Sequence, residues 1–163
     1  MENFEQEWQD KTIFVNKVTK VVKGGKNIRF SALVVVGDKR GRIGFGKGKS
    51  REVPLAVKKA VEKAKKSVKE IPIINSTIPY EVTGIFKSSK VILKPAFPGT
   101  GVIAGGTVRS VLETLGVSDI LTKVIGSTNH YNLVRATMNG LLKLRKPEKI
   151  KQLRGLENLE ETK

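Results

Sequence analysis

Ile28, Phe30, Ala32, Val34 and Val36 recur at every second position, with Arg29 and Ser31 between the first three. That alternation predicts a strand with one buried face. The stretch before it, about residues 12–22, is apolar but slips in phase, which predicts a strand carrying a bulge or bend. Lys23-Gly24-Gly25-Lys26 lies between the two, and a Gly-Gly pair tolerates the positive φ of a tight hairpin turn. A second turn follows at Gly37-Asp38-Lys39-Arg40-Gly41, then a third strand from Arg42 to Lys49. Ile43 and Phe45 share one face of that strand, while Gly44, Gly46 and Gly48 leave the other almost bare. Glycine on a strand face marks close approach by another backbone. A helix is expected from Glu52 to Lys69, with Val53, Val57, Ala60, Val61, Ala64 and Val68 in one apolar stripe. Lys58, Lys59, Lys65, Lys66 and Lys69 take the other side, Leu55 falls off the stripe, and Pro54 suits a first helical turn. The first half thus reads as a small βββα layer.

Ile71-Pro72-Ile73-Ile74-Asn75-Ser76 reads as a short connection, and a domain boundary is placed at residue 72. Beyond it, strands are expected at about Ile78–Phe86 and Val91–Phe97, turning at Ser88-Ser89. A helix from Ile103 to Leu115 would bury Ala104, Val108, Val111, Leu112 and Leu115, with Gly116 as a left-handed cap. Ile120–Ile125 reads as a strand. Ser127, Thr128 and Asn129 offer an N-cap for a last helix ending near Arg145, which Pro147 prevents from continuing. This order implies an α/β layer. The expected organisation is an acidic extension over residues 1–10, a first domain over 11–71, a second over 72–147 and a charged tail over 148–163.

Charge changes the picture most. Eighteen of the 31 Lys and Arg residues fall between Lys11 and Lys69, opposed by Asp38, Glu52 and Glu62 alone, so that segment carries +15. The first ten residues carry −4 and the remainder after Lys69 carries +5, for a total of +16 over 163 residues. So dense a field repels itself unless a polyanion neutralises it. Nucleic acid fits best, because phosphate neutralisation releases counterions; an anionic membrane surface is the competitor. The absence of cysteine removes disulfides, thiol catalysis and Cys-based zinc sites and fits a reducing cytosol. No 18-residue apolar run exists, and the acidic start resembles neither a signal peptide nor a transit peptide.

Lys20, Lys23, Lys26 and Arg29 surround the first hairpin tip; Lys39, Arg40 and Arg42 surround the second turn; Lys47, Lys49 and Arg51 follow. Any single lysine here could be solvated surface, but that reading leaves the +15 of the whole segment unexplained. Aromatics are few among the basic strands, and Phe30 and Phe45 lie on core faces, which favours shape and phosphate recognition of folded RNA over base stacking. Gly99-Thr100-Gly101-Val102-Ile103-Ala104 matches the dinucleotide pattern G-x-G-x-x-G/A, with Asp119 twenty residues past Gly99. Pro95 and Pro98 in the preceding strand, and too few remaining βαβ units, weigh against a nucleotide domain. The plainer reading is that these glycines let a helix start meet the sheet or a partner closely, and an anion at that helix start is also physically reasonable. His130, the one histidine, has no Cys or second His to complete a metal site and reads as a residue near a helix start. No catalytic constellation, metal site or cofactor is expected.

The blocks Val22-Lys23-Gly24-Gly25-Lys26, Val36-Gly37-Asp38, Gly44–Lys49 and Arg51-Glu52-Val53-Pro54 resemble ribosomal protein number five of the bacterial-type small subunit. So do Gly99–Gly106, Val111-Leu112-Glu113 and Gly126-Ser127-Thr128-Asn129, and the resemblance covers about residues 11–146. It implies an α+β protein: an N-terminal βββα domain like double-stranded-RNA-binding folds, then a two-layer α/β domain with a left-handed crossover. It implies a structural, non-enzymatic component of the 30S subunit that binds 16S rRNA. Its neighbours would be the fourth and eighth small-subunit proteins, near the path by which mRNA enters, with an influence on decoding accuracy. By the same resemblance, the Lys23–Lys26 hairpin matches the RNA-inserted loop. Gly99, Thr100, Gly101, Gly105, Gly106 and Arg109 match the surface facing the fourth protein. No membrane or small-molecule substrate is implied, and the location is a cytoplasmic ribosome, with an organellar one left open. Two other classes compete: a nucleotide-dependent enzyme, which would need the Gly99–Ala104 loop to bind a dinucleotide, and a free-standing RNA-binding regulator or chaperone.

Overall fold

A computed structural model describes residues 8–155. The first seven residues of the acidic extension and residues 156–163 of the tail lie outside the described residues. Over the described residues the architecture is α+β, with two four-stranded sheets.

The first sheet has the order β1-β2-β3-β4. Strands β1 (Gln9–Val22) and β2 (Gly25–Gly37) pair antiparallel along their whole length, with one register shift between Thr12 and Phe14. That irregularity is the expected bulge. Only Lys23 and Gly24 lie outside the ladder, and Gly24 takes φ +87°. Gly25 is already strand, so a single glycine makes the turn. Every residue from 16 to 29 is exposed, so this half of the hairpin stands out as a two-stranded arm. From Ser31 to Gly37 the opposite holds and β2 is buried on both faces.

One of those faces meets α1 (Val53–Lys66), which lies on β3 (Arg42–Ser50). The bare face of β3 does what its glycines predict. A Cβ at Gly44, Gly46 or Gly48 would overlap the carbonyls of Ala64, Ala60 and Ala56 in turn. Residues two apart on a strand and four apart on a helix advance by about the same length. Three glycines therefore match three alanines, with strand and helix antiparallel. This seam corrects the expected stripe. Ala56, Ala60 and Ala64 are buried, Val57 and Val61 pack at the margin, and Val53 is exposed. The closest approach selects the smallest side chains, and the valines are rotated aside. The helix also ends at Lys66, three residues early, because Lys69 and Glu70 form β4 against Ile43 and Arg42.

The other face of β2 belongs to a larger core. Leu33 and Val35, with Ile43, join Val91, Leu93, Val108, Leu112, Ile120 and Leu141 in one continuous apolar cluster. The two sheets are thus packed through shared side chains.

The second sheet has the order β5-β6-β8-β7, from β5 (Val82–Phe86), β6 (Ser89–Pro95), β7 (Val102–Ile103) and β8 (Ile120–Gly126). β7 and β8 are parallel, joined through α2 (Gly106–Leu115). The expected helix start at Ile103 is corrected: Val102 and Ile103 pair with Ile120 and Leu121 instead, and the helix begins three residues later. Gly116 takes φ +99° and closes α2 as expected. Asn129 caps α3 (His130–Leu141), its side chain accepting from the Tyr131 and Asn132 amides at 3.1 and 3.4 Å. α3 stops at Leu141, short of Arg145. Pro147 opens a further helix, α4 (Pro147–Leu153), absent from the sequence reading. A proline at the first helical position both blocks continuation and starts a new turn.

Candidate nucleic-acid interface

Cross-strand pairing decides which arm residues share a face. Val18 opposes Arg29 and Lys20 opposes Asn27; along the same face Ser31 opposes Lys49 and Leu33 opposes Lys47. Lys20, Arg29, Lys47 and Lys49 therefore lie on one surface, with Val18, Val22 and Asn27 between them in an open groove. Val21 and Lys26, paired, share the other face of the arm, and Lys23 sits at the tip.

The second turn is placed differently. Its backbone docks on the end of α2: the Lys39 amide donates to the Thr114 carbonyl at 3.3 Å and the Gly41 amide to the Leu115 carbonyl at 3.1 Å. Asp38 organises the turn, accepting from the Arg40 amide at 2.8 Å, the Arg42 amide at 3.1 Å and Arg42 Nε at 2.7 Å. Burial of that carboxylate raises its pKa, but the Arg40 amide bond, the Arg42 bonds and the Arg42 charge outweigh it, and the group is held below 3.8. Arg42 is thus a structural partner of Asp38, and its guanidinium also lies 5.6 Å from the Trp8 ring centre. Lys39 and Arg40 remain exposed, Lys39 beside Val102 and Glu113. The first turn projects while the second is bound into the body.

The face carrying Lys47 is braced by aromatic rings. Lys47 Nζ lies 5.4 Å from the Tyr131 ring centre, and the Arg135 guanidinium lies 5.4–5.7 Å from the rings of Phe86, Phe45 and Tyr131. His130, the first residue of α3, stacks on Phe14 at 4.3 Å, and its Nδ1 is 2.7 Å from Thr107 Oγ1. It joins β1, α2 and α3. These contacts hold the base of the arm against the second sheet. Among the described residues, no group of three or more His, Asp and Glu could hold a metal.

The Gly99–Gly106 block is braced from within. The Gly101 amide donates to Asp119 Oδ1 at 2.9 Å and the Ile120 amide to the Gly101 carbonyl at 3.1 Å. The acid that would reach a ribose in a dinucleotide site holds its own loop instead. Among the described residues, nothing crowds Gly99, Gly101, Gly105 or Gly106 on the side a Cβ would take. Close approach to the chain's own sheet therefore does not explain these four glycines. Thr100 Oγ1 donates to the Phe97 carbonyl at 2.7 Å, and Arg109 Nη2 to the Val102 carbonyl at 3.1 Å while the side chain stays exposed. Phe97 stands beside this loop with 87% of its surface in solvent, a feature the sequence reading missed.

It also missed Lys63, which joins Lys59 and Lys66 on α1 beside Lys47 and Lys49. Their i, i+4, i+7 spacing was the signal.

Fold and surface together define a two-sheet α+β protein with a projecting cationic arm, the kind of surface that meets a polyanion. The family follows from sequence comparison. The family models "Ribosomal protein S5, N-terminal domain" and "Ribosomal protein S5, C-terminal domain" match residues 8–72 and 84–154. Two relatives named "Small ribosomal subunit protein uS5", from Thermotoga maritima and Thermotoga neapolitana, are each 53% identical over 151 residues, covering 93% of this chain and 85% of theirs. The chain belongs to the ribosomal protein S5 family.

Proposed function

We propose that this protein is a structural constituent of the small ribosomal subunit that binds 16S rRNA through the arm and the basic face at its base. One observation carries the reading: residues 16–29 are exposed throughout and hold Lys17, Lys20, Lys23, Lys26 and Arg29 with no acidic residue among them. A projecting two-stranded ribbon can lie along the wide, shallow minor groove of folded RNA, and clustered cations on it reward phosphate contact. The Gly99–Gly106 loop, Arg109 and exposed Phe97 carry too little charge for a major RNA site. They suit a protein neighbour, and the resemblance assigns that side to the fourth small-subunit protein, with the eighth also adjacent. Placement near incoming mRNA, a role in decoding accuracy and residence on a cytoplasmic ribosome belong to the same proposal.

The test is binding to 16S rRNA across a salt series. Changing Lys20, Lys23, Lys26 and Arg29 together to Gln should make the slope of log K against log salt shallower by about 3–4, at roughly 0.9 per lost phosphate contact. An unchanged slope would remove the arm from the interface.

A further inference from the structure

The unpaired edge of β3 is flanked by a second bank of charge, Lys59, Lys63 and Lys66 on α1, beside the Lys47 and Lys49 that also border the basic face of the arm. β4 covers β3 only at Arg42 and Ile43. Ser67 Oγ donates to the Phe45 carbonyl at 2.8 Å, so the Phe45 main chain points outward from the sheet. By strand alternation the main-chain groups of Lys47 and Lys49 point outward as well. The side chains of Lys47 and Lys49 reach this edge from one side of the sheet. Lys59, Lys63 and Lys66 reach it from the other, on the flank of α1 beside its alanine seam, and the five line one open cleft with Glu62. None of these five is in an ion pair among the described residues. Five ammonium groups, with outward main-chain N–H groups alternating with outward carbonyls, thus face one acid.

We propose that this edge is a second RNA-contact surface, which takes the phosphodiester backbone of one rRNA strand laid lengthwise along β3. The proposal rests on the RNA-binding reading above. A strand fits better than a duplex because the two banks of lysine straddle a single extended edge, and a row of amides alternates along it. The competing account is that these lysines only blunt an exposed edge against pairing with another sheet.

The experiment uses the full-length chain and a short oligouridylate as the single-strand probe. Changing Lys59, Lys63 and Lys66 to Gln should make the salt slope shallower by about 2, at roughly 0.7 per contact for a single strand. Glu62→Gln should tighten binding. An unchanged slope in the triple variant, with the four-residue arm variant still impaired toward 16S rRNA, would overturn this proposal and leave the RNA-binding reading standing. Unchanged binding in both variants would overturn both. Increased self-association of the triple variant with unaltered RNA binding would favour edge protection and overturn the proposal. A photocrosslinker at position 63 in assembled subunits should join rRNA; joining only mRNA or a neighbouring protein would show the wrong occupant.

Discussion

Gly46 lies directly against the backbone of Ala60: a Cβ at position 46 would overlap the Ala60 carbonyl and come within 2.6 Å of the Ala64 amide nitrogen. Helix α1 can lie this close to β3 only because neither element carries bulk at the seam. Gly46→Ala should therefore destabilise the protein by about 1–3 kcal/mol, the usual cost of overpacking a tight interface. Gly25→Ala, where a Cβ meets open space, should change stability by no more than about 0.5 kcal/mol. Denaturant midpoints of the two variants check this, and equal midpoints would contradict the close seam.

Asp38 gives a pH dependence of known sign. Its side chain is 4% exposed and its pKa is lowered in the folded protein. The stabilisation is complete above the unfolded value of about 3.9 and is lost as pH falls through the lower folded value. Asp38→Asn should cost about 1.5–3 kcal/mol at neutral pH, the range for hydrogen bonds to a charged group. The gap from the parent protein should close as pH falls below about 4. A gap that stays constant with pH would mean that charge plays no part in holding the turn.

Much of the first sheet could be read from spacing alone. The Gly44, Gly46, Gly48 row is a local signal and corresponds to what β3 does. The alternation of Ile28 to Val36 locates β2, but its single buried face is corrected, since Ile28 is exposed in the arm and both faces are buried from Ser31 to Gly37. What spacing could not show was which of several small residues on α1 would touch those glycines. Ala56 and Val53 both fall near the apolar side, and only the closeness of the seam prefers the alanine. The start of α2 was hidden for a related reason. Val102 and Ile103 suit a helix or a strand, and their pairing with β8 is a tertiary outcome. Of the site, the arm was visible as charge beside a glycine turn. The docking of Lys39 and Gly41 onto α2 was not, because their partners Thr114 and Leu115 are more than seventy residues away.

Arg109 tests the proposal that the Gly99–Gly106 side meets a protein rather than RNA. Its Nη2 donates to the Val102 carbonyl, leaving other guanidinium donors for a carboxylate on a neighbour. Arg109→Leu should change stop-codon readthrough while leaving affinity for 16S rRNA within about twofold, well below the tenfold that 1.4 kcal/mol represents. Arg109→Lys should not fully restore it, since an ammonium cannot offer two parallel donors. Clearly reduced rRNA affinity with unchanged readthrough would assign this surface to RNA.

The central claim is membership of the small subunit, and sedimentation of a cell lysate after a high-salt wash tests it most directly. A structural constituent should travel with the 30S and 70S particles through the wash, because its contacts are many and mutually supporting. Recovery of the protein at the top of the gradient, or its release from the particles by salt alone, would contradict the account and point to a free-standing RNA-binding protein.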